Sequence, residues 1–157
     1  MVRFSLSESE DQVQPLRQGE GPGRAFHRLA AALLATHFGV EFEMNYPIPI
    51  GDPPKKHKFD LVSSDRHLIG ECTDYTWTRG NNPPSAKIGH INEAAFYLTF
   101  LPLGTIRFIT LRQDLRLSNG MSLADHYFAT NRHLLGDIFL IEIDVEKLAL
   151  REIRRSS

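Results

Sequence analysis

The stretch Phe59-Asp60-Leu61-Val62 and the stretch Ile69-Gly70-Glu71-Cys72-Thr73 each place one carboxylate inside an otherwise apolar segment. Both read as short β-strands, and the polar turn Ser63-Ser64-Asp65-Arg66 between them is short enough for a hairpin. An antiparallel pairing would bring Asp60 and Glu71 together on one face of the sheet. Adjacent carboxylates repel each other, and a hard divalent cation such as Mg²⁺ relieves that repulsion. The pattern therefore predicts a metal site at this pair.

A simpler interpretation is that Asp60 and Glu71 are polar residues on the solvated face of an antiparallel strand pair, where alternation demands hydrophilic side chains. Like charges directly opposite each other destabilise such a pair, however. A purely structural surface would therefore gain nothing from two carboxylates in opposite positions, and we favour the metal-site interpretation.

The chain as a whole has the composition of a globular protein. It has 157 residues, 41% hydrophobic and 24% charged, with 18 Lys and Arg against 19 Asp and Glu. A nucleic-acid surface would therefore have to be a local patch. A single cysteine, Cys72, allows no internal disulfide and favours a reducing compartment. The longest apolar stretch, Leu29–Leu34, is far too short to span a membrane, and the N-terminus lacks a signal-peptide core. We expect a cytoplasmic protein without a membrane partner.

Hydrophobic periodicity and turn residues divide the chain into a polar, flexible N-terminal segment, 1–21, and a single domain, 22–157. Within the domain the predicted order is helix, three strands, helix, strand, helix, strand. The predicted segments are a helix at Arg24–Phe38, strands at Val40–Ile50, Phe59–Val62 and His67–Thr78, a helix from Ser85 to near Pro102, a strand at Thr105–Leu111, a helix at Leu123–Leu135, a strand at Asp137–Ile143, and a short strand or helix within Lys147–Arg155.

This order, with its carboxylates on the second and third strands, resembles the PD-(D/E)XK nuclease superfamily over roughly Arg24–Leu111. The resemblance implies an α/β fold with a restriction-endonuclease-like αβββαβ core, in which helices flank a central mixed sheet. Glu71–Thr78 followed by Pro84–Lys87 looks similar to an uncharacterised bacterial subgroup, in which the residue two after the glutamate is often lysine. This chain has Thr73 there.

The resemblance implies a metal-dependent phosphodiesterase that acts on DNA. Asp60, Glu71 and the main-chain carbonyl of Cys72 would bind Mg²⁺, with Mn²⁺ as a possible substitute. Residues two apart in a strand share a face, so Thr73 stands beside Glu71 where a lysine would supply positive charge. Loss of one such electrostatic group commonly costs roughly 10² to 10³ in rate.

Superfamily members are known to relocate this lysine to the following helix, and Lys87 lies in the first turn of that helix. We therefore expect Lys87 to complete the catalytic set; the alternative is an exposed helix lysine. His90 and Glu93, further along the helix, are interpreted as a solvated face. Glu20, just before the first helix, is at the position of an additional acidic ligand in some members.

DNA contacts require cations, and the sequence offers Lys55, Lys56 and Lys58 before Asp60 and Arg79 after the third strand. Such residues would position a phosphate backbone without reading its sequence. A homodimer is plausible because cutting two strands often takes two sites. Two other functions stay open: a nuclease-fold protein that has lost catalysis and binds nucleic acid or protein, and a small structural or regulatory subunit.

Overall fold

The computed structural model describes residues 21–155, and the predicted N-terminal segment, with Glu20, therefore lies almost wholly outside the described residues. The described chain forms three α-helices, one 3₁₀ turn and six strands. Their bounds are α1 Pro22–Phe38, β1 Phe42–Ile50, β2 Lys55–Ser63, β3 Leu68–Thr73, α2 Ser85–Leu98, β4 Ile106–Arg112, α3 Leu123–Asn131, the 3₁₀ turn Arg132–Leu134, β5 Phe139–Asp144 and β6 Ala149–Ile153.

All six strands form one mixed sheet in the order in which they occur along the chain. β1, β2 and β3 pair antiparallel, β4 and β5 add in parallel, and β6 closes the sheet antiparallel to β5. The predicted α/β class with a mixed sheet is confirmed, and the open prediction for the tail resolves as a strand. None of the helices in residues 21–155 is long and apolar enough to cross a membrane.

Helices cover both faces of this sheet, and each face has its own apolar core. α1 lies on one face, where Phe26, Ala30 and Leu34 pack with strand residues such as Phe108. α2 and α3 lie on the other face, and their buried residues pack against the opposite set of strand side chains. The members of this second core from α2 and α3 are Ile91, Ala95, Leu98, Ala124 and Tyr127.

The β1–β2 hairpin changes face halfway along its length. Phe42 and Met44 pack on the α1 side, whereas Tyr46, two residues further along, packs on the α2 side. Asn45, between them, has a left-handed φ of 54°, and the ladder omits its pairing with Asp60. Simple alternation predicts one face for all these residues and is wrong at this point. The far half of the hairpin consequently reaches the α2 side of the sheet.

The third strand is shorter than predicted, since it ends at Thr73 and not at Thr78. Its parallel ladder with β4 ends at the pair Thr73 and Leu111. Beyond that point side chains take over the pairing: Arg112 binds Asp74, and the amide of Trp77 donates to Oδ2 of Asp114 at 2.8 Å. Residues 74–84 therefore form an ordered connection at the end of the sheet.

Candidate functional site

Asp60 and Glu71 lie at the point where β2 and β3 separate. The β2–β3 ladder consists of Leu61 with Gly70 and Val62 with Ile69, so the same register would next pair Asp60 with Glu71. Side chains make the hydrogen bonds there instead. The Asp60 amide donates to Oε2 of Glu71 at 3.2 Å, and the Cys72 amide donates to Oδ2 of Asp60 at 2.8 Å. The two carboxylates are therefore adjacent, as predicted, and held by backbone donors.

Glu71 is the more unusual member of the pair because it is buried, with 6% of its surface exposed. Burial raises the pKa of Glu71 to about 10, and the charge of Asp60 and a hydrogen bond with Asp60 act in the same direction. Its surroundings therefore favour the protonated carboxyl group over the carboxylate. Burial is the larger cause, and the charge of Asp60 adds the repulsion expected of two carboxylates that share one site.

His57 is the second partner of Glu71, with Nε2 at 2.7 Å from Oε1. The imidazole stacks on the ring of Tyr97 in α2, with ring centroids 3.9 Å apart and planes inclined by 13°. Burial lowers the pKa of His57, although the charges of Asp60 and Glu93 oppose this shift. Burial thus favours a neutral imidazole that is hydrogen-bonded to a protonated carboxyl group, and such a pair has no net charge.

A histidine of α1 also approaches Asp60, from the face of the sheet opposite to α2. Nδ1 of His27, in α1, lies 3.9 Å from Oδ1 of Asp60. Cys72 faces the α1 core, and burial raises the pKa of its thiol. The thiol is therefore a poor ligand or nucleophile, and any contribution of Cys72 to a metal site would come from its main chain, as predicted.

Thr73 lies on the same face as Glu71 and is buried, with 5% of its surface exposed. Its hydroxyl donates to the carbonyl of Thr110 in β4 at 3.1 Å. The hydroxyl thus bonds the neighbouring strand, while the residue still lines the cavity at Asp60 and Glu71. This position supplies no positive charge to the site.

Lys87 is exposed at the start of α2, and its ammonium lies 5.2 Å from the centroid of the Tyr75 ring. Among the described residues, no carboxylate lies within ion-pair distance of Lys87, so the structure does not join it directly to Asp60 or Glu71. Tyr75 lies between the two regions, since its hydroxyl lies 3.4 Å from Nδ1 of His90 and the residue lines the cavity at Asp60 and Glu71. The catalytic role of Lys87 stays a prediction.

Two cavities open at the end of β3. We call the smaller one, of about 300 Å³, the carboxylate cavity, and it lies between the hairpin and α2. The larger one, of about 660 Å³, is the lysine cavity, and it lies between the starts of α1 and α2. Residues of the carboxylate cavity are His57, Asp60, Glu71, Cys72, Thr73, Tyr75, His90, Glu93, Ala94 and Tyr97. Residues of the lysine cavity are Pro22, Gly23, His27, Cys72, Thr73, Asp74, Tyr75, Thr76, Trp77, Thr78, Pro84 and Lys87.

The predicted DNA-binding residues lie near the site along the chain but do not line either cavity. Lys55, Lys56 and Lys58 are exposed on β2, on both sides of His57. Arg79 is exposed immediately after Thr78, which lines the lysine cavity. Their proposed contacts with a phosphate backbone remain predictions.

The residues at Asp60 fit a hard divalent cation in their chemistry. Both carboxylates offer oxygen ligands, and the raised pKa of Glu71 reflects, in part, a repulsion that a cation would relieve. Residues 21–155 contain no group of three or more His, Cys, Asp or Glu side chains arranged to hold a metal. Mg²⁺ commonly uses one or two carboxylates and keeps several waters, so the donor set fits magnesium better than a metal that needs a full protein cage.

Sequence reasoning missed the two histidines at this site. His57 was hidden inside the run Lys55–Lys58, which reads as a charged surface, although its position two residues before buried Phe59 places it on the same strand face. His27 lies on the predicted helix α1, but its approach to Asp60 depends on how that helix packs across the sheet. His90 and Glu93, interpreted as a solvated face, are exposed and yet line the carboxylate cavity.

Comparison of the chain with protein-family models, with curated proteins and with solved structures gave no match. The proposal for function therefore rests on the geometry of the site and on the resemblance in motif and element order.

Proposed function

We propose that this protein is a Mg²⁺-dependent phosphodiester hydrolase that acts on DNA, built on a restriction-endonuclease-like core. The single observation that carries the proposal is the carboxylate pair: Asp60 and Glu71 meet where β2 and β3 separate, each accepting a backbone hydrogen bond across the gap. Burial beside a second carboxylate raises the free energy of the charged form of Glu71, and a bound divalent cation would offset that cost.

Asp60, Glu71 and the carbonyl of Cys72 would hold Mg²⁺, which supplies charge neutralisation at the phosphate and acidifies a bound water. The remaining roles belong to the chain itself. His57 and the Asp60 amide orient the Glu71 carboxyl group through its two oxygens. Lys87, beyond Tyr75, would hold a substrate phosphate by charge. Lys55, Lys56, Lys58 and Arg79 would attract the flanking backbone without reading sequence.

A second candidate is a nuclease-fold protein that binds nucleic acid without cleaving it. The observation in its favour is Thr73, whose hydroxyl bonds Thr110 and which brings no cation to the carboxylates. The two candidates differ in one measurable property, hydrolysis, whereas both predict nucleic-acid binding. The cytoplasmic location and the homodimer remain part of the first proposal.

The decisive experiment is a cleavage assay with Mg²⁺ or Mn²⁺ on supercoiled plasmid and on circular single-stranded DNA. Asp60→Asn and Glu71→Gln are expected to lose at least about 100-fold in rate because each removes a charged ligand with little change in shape. Lys87→Ala tests the proposed hold on the substrate phosphate and should also slow cleavage. Glu41→Gln and Lys147→Ala alter exposed charges outside both cavities and serve as matched controls for Glu71→Gln and Lys87→Ala.

Cleavage that is unchanged in both carboxylate variants would remove the catalytic assignment. Absence of cleavage by the wild-type protein on both substrates, together with DNA binding, would favour the second candidate. Isothermal titration with Mg²⁺ and Mn²⁺ separates the metal site from turnover, since Asp60→Asn should abolish binding heat even where no substrate is cut.

A further inference from the structure

The lysine cavity and the carboxylate cavity share a wall. Cys72, Thr73 and Tyr75 line both cavities, so the lysine cavity is adjacent to the proposed reaction site. At about 660 Å³ the lysine cavity falls within the range of pockets that bind small ligands. It is therefore large enough to receive part of the substrate next to the carboxylates.

The two cavities differ in the charged side chains that line them. The carboxylate cavity is lined by Asp60, Glu71 and Glu93. The lysine cavity has Lys87, and Asp74, the one carboxylate among its described lining residues, forms an ion pair with Arg112. A phosphate group consequently finds a cation, Lys87, in the larger cavity, whereas ionised Asp60 and Glu93 repel it from the smaller one when no metal is bound.

Tyr75 is the aromatic residue that the two cavities share. The ring is only partly buried, Lys87 lies near it at 5.2 Å, and the hydroxyl is directed towards His90. An aromatic ring beside a cation is the combination that binds one base and its phosphate, because stacking accepts any base and the cation meets the backbone.

We propose that the lysine cavity binds one unpaired nucleotide adjacent to the scissile phosphodiester, and that the substrate is therefore single-stranded nucleic acid. This inference rests on the proposed hydrolase function. A base that enters a recess beside the cut site has left its pair, and a single strand incurs no unpairing cost. Tyr75 stacks on the base, and Lys87 binds the phosphate.

Trp77 provides a direct reporter, because it lines the lysine cavity and is the only tryptophan in the chain. Its fluorescence should be titrated in EDTA with three probes: an eight-residue oligothymidylate, a blunt duplex of equal length and inorganic phosphate. Saturable quenching by the single strand at concentrations at least tenfold below those needed for the duplex is the expected result. Equal or tighter response to the duplex overturns the proposal, as does an equal response to phosphate alone or the absence of any response.

Variants at the two contact residues test the assignment separately. Tyr75→Ala should weaken single-strand binding by about 5- to 150-fold, the range measured for one lost stacking contact, whereas Tyr75→Phe should bind as the wild type does. Phe96→Ala removes an exposed ring outside both cavities and should leave binding unchanged. Unchanged binding in Tyr75→Ala would contradict the stacking role.

Lys87→Ala should lower affinity and reduce the slope of log affinity against log salt by about 0.7, the value for one phosphate contact on a single strand. Lys147→Ala is its control. Circular dichroism and a urea titration establish that each variant is folded; should Tyr75→Ala not fold, Tyr75→Leu keeps the bulk of the side chain and removes the ring.

Failure of this inference differs from failure of the proposed function. A protein that cuts duplex and single strands at equal rates remains a hydrolase and has no need of a nucleotide cavity. A protein that binds the oligothymidylate through Tyr75 but hydrolyses nothing has the cavity and lacks the activity. The cleavage assay and the EDTA titration together assign the result to one or the other.

Discussion

The Asp60 amide donates to Oε2 of Glu71 at the first position where the β2–β3 ladder stops. The Cys72 amide in turn donates to Oδ2 of Asp60, so each carboxylate accepts from a backbone amide of the opposite strand. The strands can separate here without leaving these two amides unsatisfied, which would cost about 1–3 kcal/mol each. Structure and proposed chemistry thus use the same two side chains, and substitutions must be chosen to tell them apart.

Glu71→Gln separates the structural role of Glu71 from its titration, and the readout is the pH dependence of the free energy of unfolding. A glutamine amide can still accept from the Asp60 amide and donate to His57, but it does not titrate. The pKa of Glu71 rises from its ordinary 4.5 to about 10 on folding, so between these values the folded protein holds a proton that the unfolded chain releases. Wild-type stability should therefore decline with pH across this window, by no more than about 1.4 kcal/mol per pH unit.

The measurement is the free energy of unfolding in urea at pH 5, 7 and 9 for both proteins. The advantage of Glu71→Gln over the wild type should be small at pH 5 and grow at each step. A difference that stays constant with pH would show that Glu71 does not titrate abnormally. Glu41→Gln, at an exposed position, should show no such trend.

Gly70 marks the tightest packing next to the site. A Cβ added there would lie 2.2 Å from the nearest ring carbon of Phe108, whose side chain is fully buried. Gly70→Ala should therefore lower the free energy of unfolding by about 1–3 kcal/mol, the usual cost of overpacking. Gly89→Ala meets no atom within 4 Å and lies inside α2, so it should gain about 0.5–1 kcal/mol. Similar effects of the two substitutions would contradict this packing argument.

The sequence supports the carboxylate pair because local features determine it: two short apolar strands, a short turn and a register that a hairpin imposes. The end of β3 is different. Tyr75 and Trp77 continue the strand pattern, but the β3–β4 ladder ends at Leu111. Beyond it Arg112 binds the Asp74 side chain, and the Asp114 side chain accepts from the Trp77 amide. Such an ending depends on a segment far along the chain. The contact of His57 with Glu71 depends in the same way on the change of face in the hairpin, which alternation does not reveal.

That change of face gives a third prediction, at Asn45. The residue has a φ of 54°, a left-handed conformation that asparagine tolerates and alanine does not favour. Asn45→Ala should destabilise the protein by about 1–2 kcal/mol, whereas Asn45→Gly should be close to the wild type. Urea unfolding of the two variants checks this, each being the other's control because both remove the same side-chain amide. Equal stability of the two would mean that the hairpin does not require this conformation.

Thr73→Lys tests whether the missing lysine limits catalysis. The substitution removes the hydrogen bond to Thr110 and places an ammonium group beside Glu71, at a cost of about 1–3 kcal/mol in stability. If a positive charge at this position stabilises the reacting phosphate, the cleavage rate should nevertheless rise by about 10²-fold or more.

Two further variants divide the effect of Thr73→Lys into its parts. Thr73→Val removes the hydroxyl alone, and Thr73→Met adds a chain of comparable length without charge, so only the lysine variant should gain activity. The ammonium would also favour ionised Glu71, but saturating metal already ionises the carboxylate pair. An advantage in rate that comes from charge at the phosphate should therefore persist under metal saturation. A lysine variant that is destabilised like the methionine variant and cuts no faster would show that charge at residue 73 is not what the site lacks, and would leave Lys87 as the cation to examine.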